Sequence, residues 1–382
     1  MRMNDHPGAQ LSRAPGRRRS TRPIWAFAAA TLLTLSPAAA AQVVAPQLVW
    51  PSIAADFVRS HQLVDIGVDR KLNLYCSGQG TRAVLLDAGG SDWSVIWALV
   101  QPVVSTQARV CSYDRAGLGY SDPAKGPRSP IAIVDDLHAL IHRAELNTPL
   151  VLVGHSLGGF NVKLYAALYP EDVAGLVLVD PAEERAAERS RAFLRNRYGP
   201  ALAARIELSD QPWIDKLIDH YRECASAARV ADLASGSTIY RSCTDPVRPK
   251  LGPTIAAERA RLQGRYSYQQ AQASEIANSV YGPPTPDVAY AALFQPGMLG
   301  NRPLIVLTHG IHDSEDRFEA ASYQADLFLH RQTARLSTRG AHRIVPGSHH
   351  NIEIDAPEAI TDAIRNILTA IEQQKSEKEV VE

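Results

Sequence analysis

Gly154-His-Ser-Leu-Gly158 directly follows the apolar run Leu150 to Val153 and opens a segment of helical spacing. That setting suits a serine nucleophile. A sharp strand-to-helix turn lifts the Ser156 hydroxyl off the sheet, and the flanking glycines let helix and strand approach without side-chain clashes. With glycine and serine each about 7% of ordinary sequences, about 0.1 such matches arise by chance in a chain this long. The added requirement for a strand before and a helix after makes coincidence rarer still. The N–H of Leu157 then points at an oxyanion developing near the helix start, where the helix dipole also favours negative charge. The bland alternative is an idle serine in a glycine-rich turn.

Other groups of reactive side chains are weaker signals. His309, His312, Asp313 and Asp316 could be drawn as a metal cluster, but they lack the H-E-x-x-H spacing and lie at a strand end, so no metal is expected. Tyr113 to Asp122 holds Gly117 and Gly119 but not the Lys-Ser/Thr of a phosphate-cradling loop, and reads as a turn bordering a pocket. Trp93, Trp97 and Phe160 read as core or pocket wall. The four cysteines include no C-x-x-C, which argues against thiol redox chemistry.

The elements that must position Ser156 follow from the apolar pattern. Strand-like runs recur at Ala83 to Ala88, Arg109 to Asp114, Leu150 to His155, Gly175 to Asp180, Leu304 to His309 and His342 to Pro346, with helical segments between them. Such alternation implies a mostly parallel sheet. Val151, Leu152 and Val153 are continuously apolar, as in a strand covered on both faces. Leu63 to Gly67 and Lys71 to Cys76 read as a hairpin turned at Val68, Asp69 and Arg70. Pro130 opens a helix carrying Val134, Leu137, Leu140 and Ile141 at helical spacing. The rhythm breaks between about Ala182 and Pro296, which reads as a helical insertion ending in the proline-rich stretch Tyr281 to Asp287. The expected organisation is a leader over 1–41, a core over 42–181, a helical cap over 182–296, the rest of the core over 297–370 and a charged, flexible tail over 371–382.

Charge and cysteines bound the compartment and the partners. The 40 Lys and Arg balance the 40 Asp and Glu, so no surplus of positive charge invites nucleic acid. The first 41 residues hold six arginines and Asp5, then an apolar run from Ile24 to Leu35 and small residues at Ala38 to Ala41. This is the pattern of a secretory signal peptide, shorter than the roughly 20 apolar residues a membrane span needs. Without it the remaining residues carry about −5, and no stable membrane span is expected. Export to the periplasm or beyond favours disulfides. Cys224 and Cys243 are expected to pair; Cys76 and Cys111 lie at two strands, and their pairing is open.

Leu85-Leu-Asp-Ala-Gly-Gly90, Tyr113 to Asp122, the turn at Ser156 and Gly347-Ser-His-His-Asn-Ile352 together resemble the α/β-hydrolase fold superfamily, of the serine-nucleophile, cap-bearing kind. The resemblance covers about Leu63 to Leu368. It implies an α/β fold with an eight-stranded-type, mostly parallel sheet, helices on both faces and an inserted helical cap. It also implies a second oxyanion donor at the N–H of Gly90, and a base histidine near the carboxyl end in the chain order Ser, acid, His. His350 aligns best with that base, and His349 takes a structural or substrate-facing place. For the acid, Asp313 holds the usual position past the Leu304 to Gly310 strand, with Glu315, Asp316 and Asp180 as rivals. The expected activity is cleavage of a small or medium carboxylic ester through an acyl-enzyme, without a cofactor. Amide, peptide or thioester hydrolysis on the same triad, a cofactor-free lyase or peroxidase-like reaction, and a non-catalytic binding protein remain alternatives. Oligomeric state is left open.

Overall fold

The computed structural model describes residues 49–281 and 287–381. The expected leader lies outside them, as does most of the proline-rich stretch after Tyr281. Eight strands form one sheet: β1 (Gln62–Gly67), β2 (Arg70–Ser77), β3 (Ala83–Asp87), β4 (Arg109–Tyr113), β5 (Leu150–His155), β6 (Val173–Val179), β7 (Leu304–His309) and β8 (Gly340–Val345). Their spatial order is β1-β2-β4-β3-β5-β6-β7-β8. The β1–β2 and β2–β4 pairs are antiparallel, and every pair from β4 onward is parallel. Val68 and Asp69 turn the β1–β2 hairpin with positive φ at both residues, 55° and 52°, the geometry whose twist matches the flanking strands.

Helices cover both faces. In chain order they begin with α1 (Pro51–Phe57), α2 (Gln101–Val104), α3 (Pro130–Arg143) and α4 (Leu157–Leu168). Between β6 and β7 come α5 (Ala186–Tyr198), α6 (Pro200–Val230), α7 (Thr238–Cys243), α8 (Gly252–Gln263), α9 (Tyr266–Asn278) and α10 (Asp287–Ala291), with no strand among the described residues of that stretch. The chain closes with α11 (Arg317–Ala334), α12 (Ile352–Asp355) and α13 (Pro357–Val381). Over the expected tail of 371–382, α13 continues to Val381, because its Glu, Gln and Lys residues are good helix formers.

The central strands are apolar throughout because both faces are buried. Val84, Leu86, Val151, Val153, Val177 and Val179 pack toward Trp97, Ile360 and Ile364 on one face. Leu85, Leu152, Leu176 and Leu178 alternate with them and pack toward Leu137, Leu140 and Leu164 on the other. Pro130 starts α3 behind the Ser129 cap, whose side chain accepts from the Ala132 N–H.

Both cysteine pairs are closed. Cys76 and Cys111 face each other across β2 and β4 and form a disulfide, and Cys224 joins α6 to Cys243 at the end of α7. No helix among the described residues is long and apolar enough to cross a membrane.

Candidate active site

Ser156 sits between β5 and α4 with φ 50° and ψ −118°, a strained conformation for a residue with a side chain. The surroundings hold it there. Its N–H donates to the Val179 carbonyl at 3.0 Å, and its carbonyl accepts from Ala182 at 2.9 Å. A Cβ on Gly154 would collide with the Gly158 backbone, and one on Gly158 would collide with the carbonyls of Asp87 and Ala88. The Ser156 hydroxyl is buried and makes no hydrogen bond.

His350, in the loop after β8, directs Nδ1 at Asp180 Oδ2 across 2.6 Å. Its Nε2 is buried and makes no hydrogen bond. Burial lowers the His350 pKa below its ordinary 6.5, against the opposing pull of the Asp180 carboxylate. Asp180, the residue after β6, also takes His309 Nδ1 at 2.9 Å. Burial pushes its pKa up, but the bonds from His309 and His350 prevail and hold it well below the usual carboxylate range. His309 moves the other way: burial opposes its charge, and Asp180 still raises its pKa.

The structure therefore places Asp180, and not Asp313, beside His350. Asp313 lies exposed in the turn after β7, where its carboxylate accepts from the backbone N–H groups of Glu315 and Asp316. Glu315 is exposed, and Asp316 caps α11 by accepting from Phe318 and Glu319. The physical reason is the direction of the loop: after His309 the chain turns outward to start α11, whereas β6 ends between β5 and β7 and points its last carboxylate inward. His349 faces out, pairing with Asp355 at 3.1 Å.

Residues 82–297 match the family model for the alpha/beta hydrolase fold. The chain belongs to that family. A thermophilic esterase from Thermogutta terrifontis superposes with a TM-score of 0.50 at 21% identity, over 82% of this chain and 99% of that one. The mouse (lyso)-N-acylphosphatidylethanolamine lipase is 37% identical over 89 residues, 22% of this chain and 26% of that one. The Hormonema carpetanum protein named probable transporter efuK is 34% identical over 132 residues, 32% of this chain and only 18% of its own length. The chain thus spans well under half of these two curated relatives.

In this alpha/beta hydrolase fold chain the loop after β3 adjoins the serine turn. A Cβ on Gly90 would lie 3.6 Å from the Leu157 side chain, and one on Gly89 would lie 3.5 Å from Ser156 Cβ. The fully buried Arg115 clamps that loop, donating to the Ala88 and Gly89 carbonyls at 2.6 Å each and to Asp87 Oδ1 at 2.8 Å. Its Nε donates to Glu275 of α9 at 2.7 Å, and Glu275 also accepts from the Ser91 N–H at 3.3 Å. Behind His350 lie two more buried groups, His155 with its Nδ1 3.4 Å from Glu353 Oε1. Burial pushes His155 down to about 4 and Glu353 up to about 8, favouring the neutral form of each. Burial raises the phenol of Tyr281 to about 12, against an opposing influence of Ser156. Sequence reasoning missed Arg115, Glu275, His155, Glu353 and Tyr281 as site residues; Arg115, His155 and Tyr281 lay in segments singled out for their pattern, the Tyr113 to Asp122 turn, the serine turn and the proline-rich stretch, but Glu275 and Glu353 did not.

Proposed function

We propose that this protein is a secreted or periplasmic serine hydrolase that cleaves a carboxylic ester of small or medium acyl chain. The observation that carries the reading is the 2.6 Å contact between Asp180 and His350, with the His350 Nε2 and the Ser156 hydroxyl both buried and unbonded at the same end of the sheet. Asp180 fixes the Nδ1–H tautomer, leaving Nε2 as the base that takes the Ser156 proton during attack on the carbonyl. The N–H groups of Gly90 and Leu157 receive the oxyanion, and His350 returns the proton to the leaving alcohol. Water then attacks the acyl-enzyme by the same route. The likeness of part of the chain to a lipase supports the ester over other acyl substrates, and the two disulfides support export.

A fluorophosphonate probe and a panel of chromogenic esters on purified protein test this together. Wild type should be labelled and should turn over short esters, and Ser156→Ala should do neither. Absence of labelling in wild type would sink the proposal.

A further inference from the structure

We propose that His138, His142 and Asp172 form a binding site for a divalent transition-metal ion of the zinc type, at the end of the sheet away from Ser156. His138 and His142 stand four residues apart on α3 and so share one face, with ring centroids 4.3 Å apart. Asp172 comes from the short turn Pro170–Asp172 that feeds β6. One donor atom from each of the three lies within 4.8 Å of the others. His142 Nε2 is 2.9 Å and His138 Nδ1 3.6 Å from Asp172 Oδ2. A tetrahedral zinc ion with bonds near 2.0–2.1 Å sets its donors about 3.3 Å apart, a spacing these two distances bracket.

The surroundings are those of a ligand set. Asp172 is 6% exposed and is fixed by the Tyr165 hydroxyl, which donates to its Oδ2 at 2.7 Å. The His138 ring is stacked on Tyr169 at 3.8 Å, with 7° between the planes. Such outer contacts orient ligands before a metal arrives. The two imidazoles are 35% and 48% exposed, leaving an open side for water and for entry of the ion. An ion pair accounts for His142, whereas His138 Nδ1 lies 3.6 Å from the carboxylate and 3.2 Å from the Tyr165 hydroxyl, a contact that ion binding would exchange for a bond to the metal. The other candidate group, His220 with Cys224 and Cys243, has both sulfurs committed to a disulfide. Because Asp172 precedes β6 and Ser156 follows the parallel β5, about 20 Å of strand separates the ion from the serine. Its role is to staple α3 to the turn between α4 and β6.

The test uses the tag-free, oxidised full chain stripped with EDTA. Titrated with zinc chloride in a calorimeter, it should show one saturable site and a rise in Tm with zinc concentration. His138→Ala and His142→Ala should each weaken binding at least tenfold and abolish the Tm rise while leaving ester hydrolysis at the wild-type rate; Tyr165→Phe should weaken it about tenfold through the lost support of Asp172. Cobalt(II) should give the visible absorption of a low-coordinate site in wild type and lose it in His142→Ala. No saturable zinc binding by wild type, or undiminished binding in both histidine variants, would overturn the proposal. Both substitutions lie on a partly exposed helix face, so folding does not confound them.

Discussion

Two imidazoles converge on the one carboxylate of Asp180, which decides what each substitution there does. Asp180→Asn keeps the shape but loses the negative charge and lets His350 take the wrong tautomer, so kcat should fall about 10⁴-fold. Asp313→Asn, in an exposed turn, should leave turnover of the same ester within about twofold. Similar losses from both would undo the assignment. The pH profile follows from the same contacts. His350 must be neutral to act as base, and burial holds its pKa below 6.5; kcat/KM should therefore rise through a pH below 6.5 and stay level to neutrality. An ascending limb centred above pH 6.5 would contradict the buried imidazole. The candidate serine and histidine could be named from the sequence because each sits in a local pattern of a few residues. The carboxylate beside His350 could not be singled out from its rivals. Asp180 and Asp313 both follow apolar strands, and only the outward course of the chain after His309 separates them.

At the scale of elements, α9 and the loop after β3 are one unit. Arg115 bridges them, and its partner Glu275 is the only carboxylate on α9. Glu275→Gln removes the charge while preserving the volume, and the N–H of Ser91 and the Arg115 fork lose their anchor. The Gly90 donor should then be misplaced, and kcat for a short ester should drop about 10- to 100-fold with a smaller change in KM, since a shift of about 1 Å has that effect on a positioned group. Thermal melts run alongside should show a loss of stability from the buried guanidinium left with Asp87 alone. Wild-type kcat in this variant would mean that α9 does not position the loop. The strands themselves were readable because a two-sided parallel sheet writes continuous apolar runs, and each expected strand overlaps an observed one. The order β4-β3-β5 and the docking of α9 onto the loop were not: the first depends on pairings 26 to 67 residues apart, the second on contacts more than a hundred residues apart, such as Arg115 with Glu275. The three groups of the proposed metal site share that obscurity: His138 and His142 are visible as a helical pair, but Asp172 is thirty residues on.

Across the whole molecule the two disulfides divide the labour. Cys76–Cys111 ties two neighbouring strands that already pair, whereas Cys224–Cys243 lies in a separate apolar cluster with Ala228, Leu233 and Tyr240. From there a chain of contacts reaches the site: the Cys243 carbonyl accepts from Gln269 on α9 at 2.9 Å, and α9 carries Glu275 and Ile276 against the loop after β3. The 19-residue separation of Cys224 and Cys243 corresponds to about 3 kcal/mol of stability in the chain-entropy model. The double substitution Cys224→Ser with Cys243→Ser should therefore lower stability by about that amount in guanidinium unfolding. It should also reduce kcat/KM for the ester by loosening α9, while the sheet, with its own bridge, stays folded at 25 °C. Native protein should show no thiol open to alkylation before reduction. Free thiols in the native protein, or an unfolding midpoint unmoved by the double substitution, would show that the helices between β6 and β7 hold together without the bridge, and would remove the strongest physical argument for an oxidising compartment.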